Sequence, residues 1–283
     1  MSKVAFVIDS TTYLPSELVG DFPISVAPAM IIWSGEELRD GVDIQPAEFY
    51  QRLSVAKEIP STSQASPAAI KELYDQWLAK GYEILSVFIS HKLSGTVASA
   101  EQALAALPGA PIEVVDSLTG SMGVGWAVLA AARAAAKGAD LAQCKEIVEK
   151  TLENTGIVLM VDTLEFLHRG GRIGGAKRFL GSILKLKPIL EIVDGGFEGV
   201  EQVRTHKKAL DRLVELAVQR IGGREPVRLA ILHANALDVA QDLLARAKAA
   251  VNPIETAISA VSPAVGTHLG PGTVGIAFTA GVE

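Results

Sequence analysis

The chain has one cysteine, Cys144, in 283 residues. That excludes an internal disulfide and any metal cluster built on cysteines. Long apolar runs are missing as well: none approaches the ~18 residues of a membrane helix. The opening Met1-Ser2-Lys3 passes at once into a strand pattern and lacks the build of a secretory signal. A soluble, cytoplasmic protein is therefore expected. Positive charge is in deficit, with 26 Lys and Arg against 32 Asp and Glu and a net charge of −6. This argues against general nucleic-acid binding.

Familiar catalytic signatures fail in their context. Gly270-Pro271-Gly272-Thr273-Val274-Gly275 fits the spacing G-x-G-x-x-G, yet it neither follows the first strand nor opens a helix. Gly170 to Gly175 has phosphate-loop spacing but continues Ala176-Lys177-Arg178, without the Lys-Ser or Lys-Thr pair that a nucleotide site needs. Ser54/Lys57 and Ser182/Lys185 match S-x-x-K with no accompanying S-D-N or K-T-G. There is no G-x-S-x-G elbow and no H-E-x-x-H. The five histidines (His91, His168, His206, His233, His268) are scattered without metal spacing. Neither a catalytic set nor a metal site is expected.

What is present is a globular composition, 49% hydrophobic and 20% charged. In the first half, apolar segments at 4–8, 24–33, 84–90 and 112–115 read as strands. They alternate with helical patterns at 15–19, 46–53, 68–80, 97–107 and 123–137, and two helices separated by Gly138 run to about Asn154. This predicts a parallel sheet covered on both faces by helices. The second half mixes strands at 157–161, 227–232, 254–260 and 275–279 with helices at 207–221 and 237–249. A hairpin is expected at Asp194-Gly195-Gly196, between 189–193 and 197–203. The fold class is α/β: a parallel-sheet α/β/α domain over 1–154, then a mixed-sheet α+β domain over 155–283.

Chemistry is concentrated in the links. After the strand at 84–90 comes Lys92-Leu93-Ser94-Gly95-Thr96, opening a helix. A helix start offers free N–H groups and partial positive charge, so the turn suits an anion. The simplest alternative is that Ser94 only caps its helix, worth about 1 kcal/mol. Three further links carry hydroxyls: Ser10-Thr11-Thr12, Ser61-Thr62-Ser63 and Thr119-Gly120-Ser121. In open α/β sheets, such turns gather outside the carboxyl ends of the strands, where ligands bind. Only Lys92 among them is basic, which favours a carboxylate over a polyphosphate. Thr267-His268-Leu269-Gly270-Pro271-Gly272 reads as a tight loop able to aim one imidazole at a ligand. Charge is uneven too. From residue 169 to 208, nine basic residues face four acidic ones, a balance of +5 that leaves −11 for the rest.

With Asp9-Ser10, Thr62-Ser63-Gln64-Ala65-Ser66-Pro67, Leu93-Ser94-Gly95-Thr96, Gly170-Gly171-Arg172-Ile173 and Thr267-His268-Leu269-Gly270-Pro271-Gly272 in order from end to end, the chain resembles the DegV family of bacterial fatty-acid-binding proteins. It is similar in particular to the FakB-like acyl-carrier subunits of fatty acid kinase. Ala65 stands where the family usually has proline. The resemblance implies a ligand between two domains, its carboxylate held by Thr62, Ser94 and His268, with the Gly95 backbone N–H and Ser121 nearby. The tail would lie in an apolar tunnel, for which the 5% aromatic content and the many small residues leave room. It also implies no cofactor and a partner, an ATP-dependent fatty acid kinase, that converts the carboxylate to an acyl phosphate for phospholipid synthesis. Arg172, Arg204, Lys207 and Lys208 would form the basic surface that docks this kinase, and a transient contact with a membrane surface fits the same role. Two other readings compete. One is an enzyme, either a hydrolase using Ser94 with His268 or a small-molecule kinase of the dihydroxyacetone-kinase type. The other is an interaction module with an empty pocket.

Overall fold

A computed structural model describes residues 3–181 and 186–282. The Ser182/Lys185 pair and the Lys185 charge of the basic segment lie outside the described residues.

The first sheet has the order β2 (Ile24–Ala27), β1 (Val4–Asp9), β6 (Glu83–Phe88), β7 (Ile112–Asp116), and all its pairings are parallel. Its central strands are apolar at most positions because both faces are covered. Phe6, Ile8, Leu85 and Val87 point one way, into a core shared with α5 (Met122–Ala136) and α6 (Leu141–Glu153). Val7, Ile84 and Phe88 point the other way, onto α3 (Pro67–Ala79) and α4 (Thr96–Ala105). The period of two in a strand converts one apolar run into two cores.

The second sheet has the order β10 (Gly196–Val203), β9 (Lys187–Val193), β8 (Thr155–Met160), β13 (Val274–Ala280), β11 (Val227–His233), β12 (Glu255–Ala260). Only β11 and β12 pair in parallel. The hairpin β9–β10 turns at Asp194 and Gly195, both with positive φ (46° and 80°), as an Asp-Gly turn requires. α8 (His206–Ile221) and α9 (Leu237–Val251) cover one face of the sheet through Val158, Met160, Leu229, Ile231 and Ile276. The opposite face, with Ile157, Leu159, Leu190, Leu232 and Ala277, turns toward the first half of the chain. α5 lies between the two sheets and packs against both β1 and β13. That position explains its composition of small and apolar residues, since a helix apolar all round is a buried one.

A third, small sheet was not legible beforehand. The stretch 24–33 reads as one strand, but Pro28 cannot donate to a ladder and splits it. β2 stays in the first sheet, whereas β3 (Met30–Trp33) pairs with β4 (Glu36–Arg39) and with β5 (Ser61–Ser63). The polar link before α3 is therefore partly a strand, and Ile31 sits opposite Thr62. A second correction concerns 267–272. His268 lies not on a loop but in the last turn of a helix, α10 (Pro263–Leu269), whose start is capped by the Ser262 side chain accepting from Val265 N–H. The remaining helices are α1 (Ser16–Val19), α2 (Pro46–Val55) and α7 (Glu165–Arg169).

Candidate functional site

The carboxyl ends of β1, β6 and β7 lie side by side, so the turns that follow them share one edge of the sheet. Asp9 ties two of these turns together. Its buried carboxylate accepts from the backbone N–H of Thr11 and of Ile89, each at 2.9 Å, and from the Thr11 hydroxyl. Burial pushes its pKa up, and these hydrogen bonds oppose the shift.

In the turn after β6, the N–H groups of Leu93 and Ser94 both donate to the Ser90 carbonyl, at 2.9 and 3.0 Å. This presents Ser94 at the mouth of α4. Ser94 does not cap that helix. Gly95 occupies the cap position with no side-chain bond to the helix, and the Ser94 hydroxyl instead lies 2.9 Å from that of Thr96. The capping alternative is thereby overturned.

Thr62 and His268, 206 residues apart, meet through a 2.8 Å hydrogen bond between Thr62 Oγ1 and His268 Nε2. The other ring nitrogen, Nδ1, is buried and finds no hydrogen-bond partner among the described residues. It rests on Gly170, where a Cβ would come within 2.0 Å of it. Burial, with a smaller push from the Arg172 charge, lowers the His268 pKa to about 4, so the imidazole is neutral at neutral pH. Arg172 is itself anchored, donating from Nη1 to the Gly170 carbonyl at 2.6 Å and from Nε to the Leu93 carbonyl at 3.2 Å.

Ser121 completes the set. Its backbone is held at φ 47°, ψ −137°, a conformation that costs a residue with a Cβ about 1–3 kcal/mol. Its hydroxyl is buried and also finds no partner among the described residues.

These groups line one cavity. Its wall includes Thr11, Thr62, Ser94 and Ser121, a member of each of the four hydroxyl-bearing links, together with His268 and Arg172. The rest of the wall is largely apolar, with Ile157, Leu159 and Leu232 from the second sheet, Ile192 and Phe197 from the hairpin, and Val261 and Leu269 from either end of α10. The space between the atoms amounts to about 830 Å³, open solvent at the mouth included. Gly95 is exposed beside the cavity rather than in its wall, and a Cβ there would press on the Gln64 amide at 3.1 Å. Arg204, Lys207 and Lys208 are exposed where β10 gives way to α8, outside the lining. Of the four basic residues expected to act together, only Arg172 is at the cavity.

Several functional neighbours escaped the sequence reading. Gly170 was noticed only as part of a glycine-rich run, although it is the seat of His268. Gln64 lines the cavity directly, beside Ser63 of the expected hydroxyl link. Tyr50 was read only as part of a helix, yet its hydroxyl donates to the Val261 carbonyl at 3.1 Å and helps to hold α10. Among the described residues no group of three or more His, Cys, Asp or Glu could hold a metal ion, and no helix is long and apolar enough to cross a membrane.

Comparison with known proteins agrees in fold along the whole chain. A model of the DegV family, described as uncharacterised proteins, matches residues 3–281. A DegV domain-containing protein of Clostridium perfringens is 33% identical over 97% of this chain and 98% of its own. One from Streptomyces coelicolor is 36% identical over 96% and 97%. Among solved structures, a fatty-acid-binding DegV family protein from Thermus thermophilus superposes with a TM-score of 0.90 at 35% identity, covering 98% of this chain and 99% of that one. DegV of Bacillus subtilis, a fatty acid binding protein, gives 0.89 at 31%, covering 99% and 100%.

Proposed function

Since the chain belongs to the DegV family, we propose that it binds a long-chain fatty acid in this cavity and presents the carboxylate to a separate ATP-dependent kinase. The observation that carries the reading is the make-up of the wall: hydroxyls from four separate links and one neutral imidazole, opening onto an apolar remainder. Each CH₂ of a buried tail contributes about 0.8 kcal/mol. A carboxylate needs donors, and Thr62, Ser94 and Ser121 are placed to supply them. His268 works through Thr62. In the tautomer that carries its proton on Nε2, the ring donates to Thr62 Oγ1 and leaves the threonine proton free for the ligand. That tautomer also spares the chain an orphaned N–H at buried Nδ1, which is costlier than an orphaned acceptor. Gly95 would add a backbone N–H beside the head group, and Arg172 a fixed positive charge.

The hydrolase reading fares worse. His268 bonds Thr62 rather than Ser94, its pKa of about 4 makes it a feeble base, and among the described residues no carboxylate orients its Nδ1. In the carrier reading the chain acts in the cytoplasm, and its exposed Arg204, Lys207 and Lys208 dock the kinase that makes the acyl phosphate.

Native mass spectrometry tests the first half of the proposal. One fatty acid of roughly 16 carbons per chain is expected to co-purify, or to be taken up on addition, since its tail contributes on the order of 12 kcal/mol before ordering costs. A chain that carries no acyl ligand and fails to bind added palmitate or oleate would refute it.

A further inference from the structure

Building on the fatty-acid reading, we infer that Asp40 is a positioning residue: its carboxylate holds the first turn of α10 against the turn after β1 and so keeps His268 in line with Thr62. Asp40 lies just after β4 and is 1% exposed. It does not touch the cavity but stands behind three residues that do. Its N–H donates to the Ala29 carbonyl at 2.8 Å. Its Oδ2 accepts from the Ser10 hydroxyl at 2.7 Å, and the Ser10 oxygen in turn accepts from Ala29 N–H at 3.0 Å. Ser10 and Ala29 therefore fix the carboxylate on one side, next to the lining residues Thr11 and Ala29.

On the other side the carboxylate faces the Ser262 hydroxyl and the Ala264 N–H, at the start of α10. Its Oδ1 closes no hydrogen bond. Ser262 already accepts from Val265 N–H, so its own proton is free to be given to Oδ1. Ala264 lines the cavity, and His268 follows it by four residues, one helical turn on the same face. Tyr50 holds the same segment from α2, through its bond to Val261 and its packing against Gly266, where a Cβ would fall 2.4 Å from its hydroxyl. With one pin at Tyr50 and the other at Asp40, the first turn of α10 sets where its last turn places the imidazole.

The charged and titratable groups that face Asp40 are Asp9, Tyr13 and Tyr50, and none of them is a cation. Burial raises the Asp40 pKa to about 7, with the hydrogen bonds from Ser10, Ser262 and Ala264 opposing and Asp9 adding to the rise. The ionised carboxylate accepts from Ser10 and turns its Oδ1 toward the other two donors. Once protonated, Oδ1 can at most donate to the Ser262 oxygen and no longer serves Ala264 N–H as a carboxylate acceptor, so the contact with α10 weakens. The hold on α10 is therefore expected to weaken as the pH falls through about 7.

The test follows the ring nitrogens of His268 by NMR in the ¹⁵N-histidine-labelled protein, assigned by their loss in H268Q, alongside palmitate titrations from pH 6 to 8. His268 itself titrates near 4, so a midpoint near 7 in its signals reports a neighbouring group. The wild type is expected to show that midpoint, and its palmitate affinity to fall on the order of tenfold from pH 8 to pH 6, as linkage to one proton allows. D40N, a permanently neutral carboxylate of the same size, is expected to lose the midpoint and to bind at every pH as the wild type does at pH 6. A wild type without the midpoint overturns the proposal, and that measurement needs no variant. So does a D40N that keeps the midpoint or binds at pH 8 as tightly as the wild type. If no fatty acid binds at any pH while the midpoint still depends on Asp40, the fatty-acid reading falls and the positioning role stands.

Discussion

Gly170→Ala isolates the contribution of His268 without touching a polar group. The backbone at Gly170 has φ −73°, ψ −7°, which alanine adopts without strain. Its new Cβ, however, would lie 2.0 Å from His268 Nδ1 and 3.1 Å from the Phe166 carbonyl. Ordinary contact at about 3.4 Å asks the ring to retreat by roughly 1.4 Å. It has nowhere to go, because Nε2 across the ring is already bonded to Thr62 at 2.8 Å. The imidazole must leave its rotamer and the bond to Thr62 must break. A lost neutral hydrogen bond accounts for about 0.5–1.5 kcal/mol, and a carboxylate left with a poorly oriented donor for about 1–3 kcal/mol. Affinity for palmitate should fall about 10- to 100-fold, which corresponds to ~1.4–2.8 kcal/mol. Stability should fall too, by about 1–3 kcal/mol, because the new Cβ presses on the buried Nδ1 of the ring and breaks the ring's hydrogen bond. The assay is a fatty-acid titration with thermal melts on G170A, H268A and the double variant. Because both changes remove the same interaction, the double variant should bind no more weakly than H268A alone. G170A binding within twofold of wild type, or strictly additive losses, would refute the reasoning.

Three further outcomes are expected. Ser94→Ala and Thr62→Ala should each weaken fatty-acid binding by about 1–3 kcal/mol, and the Ser94 variant should melt at the wild-type temperature because its hydroxyl caps nothing; a marked loss of stability with unchanged affinity would reverse that assignment. Ser121→Gly relieves a positive φ of 47° and removes an unsatisfied hydroxyl, so it should raise stability by about 1 kcal/mol while lowering affinity in the same titrations. Arg204→Glu combined with Lys207→Glu should leave fatty-acid affinity intact and slow association with the acyl-phosphorylating kinase, most strongly at low ionic strength, as read by stopped-flow mixing at two salt concentrations.

Much of the fold could be read locally. Apolar runs such as 84–89 announce strands buried on both faces, and the Asp194-Gly195 turn announces its hairpin, because the information sits within a few residues of where it acts. The hydroxyl links could be read as well, since a parallel sheet leaves its post-strand turns on one edge. The small sheet could not. β3 and β5 are about thirty residues apart, and the signal that separates β3 from β2 is a single proline whose effect depends on which ladder each side can join. α10 is masked although Ser262-Pro263 is an ordinary helix start, because the glycines that follow it carry the signature of a loop.

The amino-acid order by itself determined the hydroxyl-bearing links and the α/β alternation that collects them. Only the tertiary structure decided how they are joined. It brought Thr62 to His268, made Gly170 the floor beneath the ring, drew Arg172 into the cavity wall away from Arg204, and put Asp40 behind α10. The physical reason is that side-chain hydrogen bonds and close contacts act over about 3–4 Å. Across 206 residues of chain, the Thr62–His268 contact exists only once the small sheet that carries Thr62 has packed against α10.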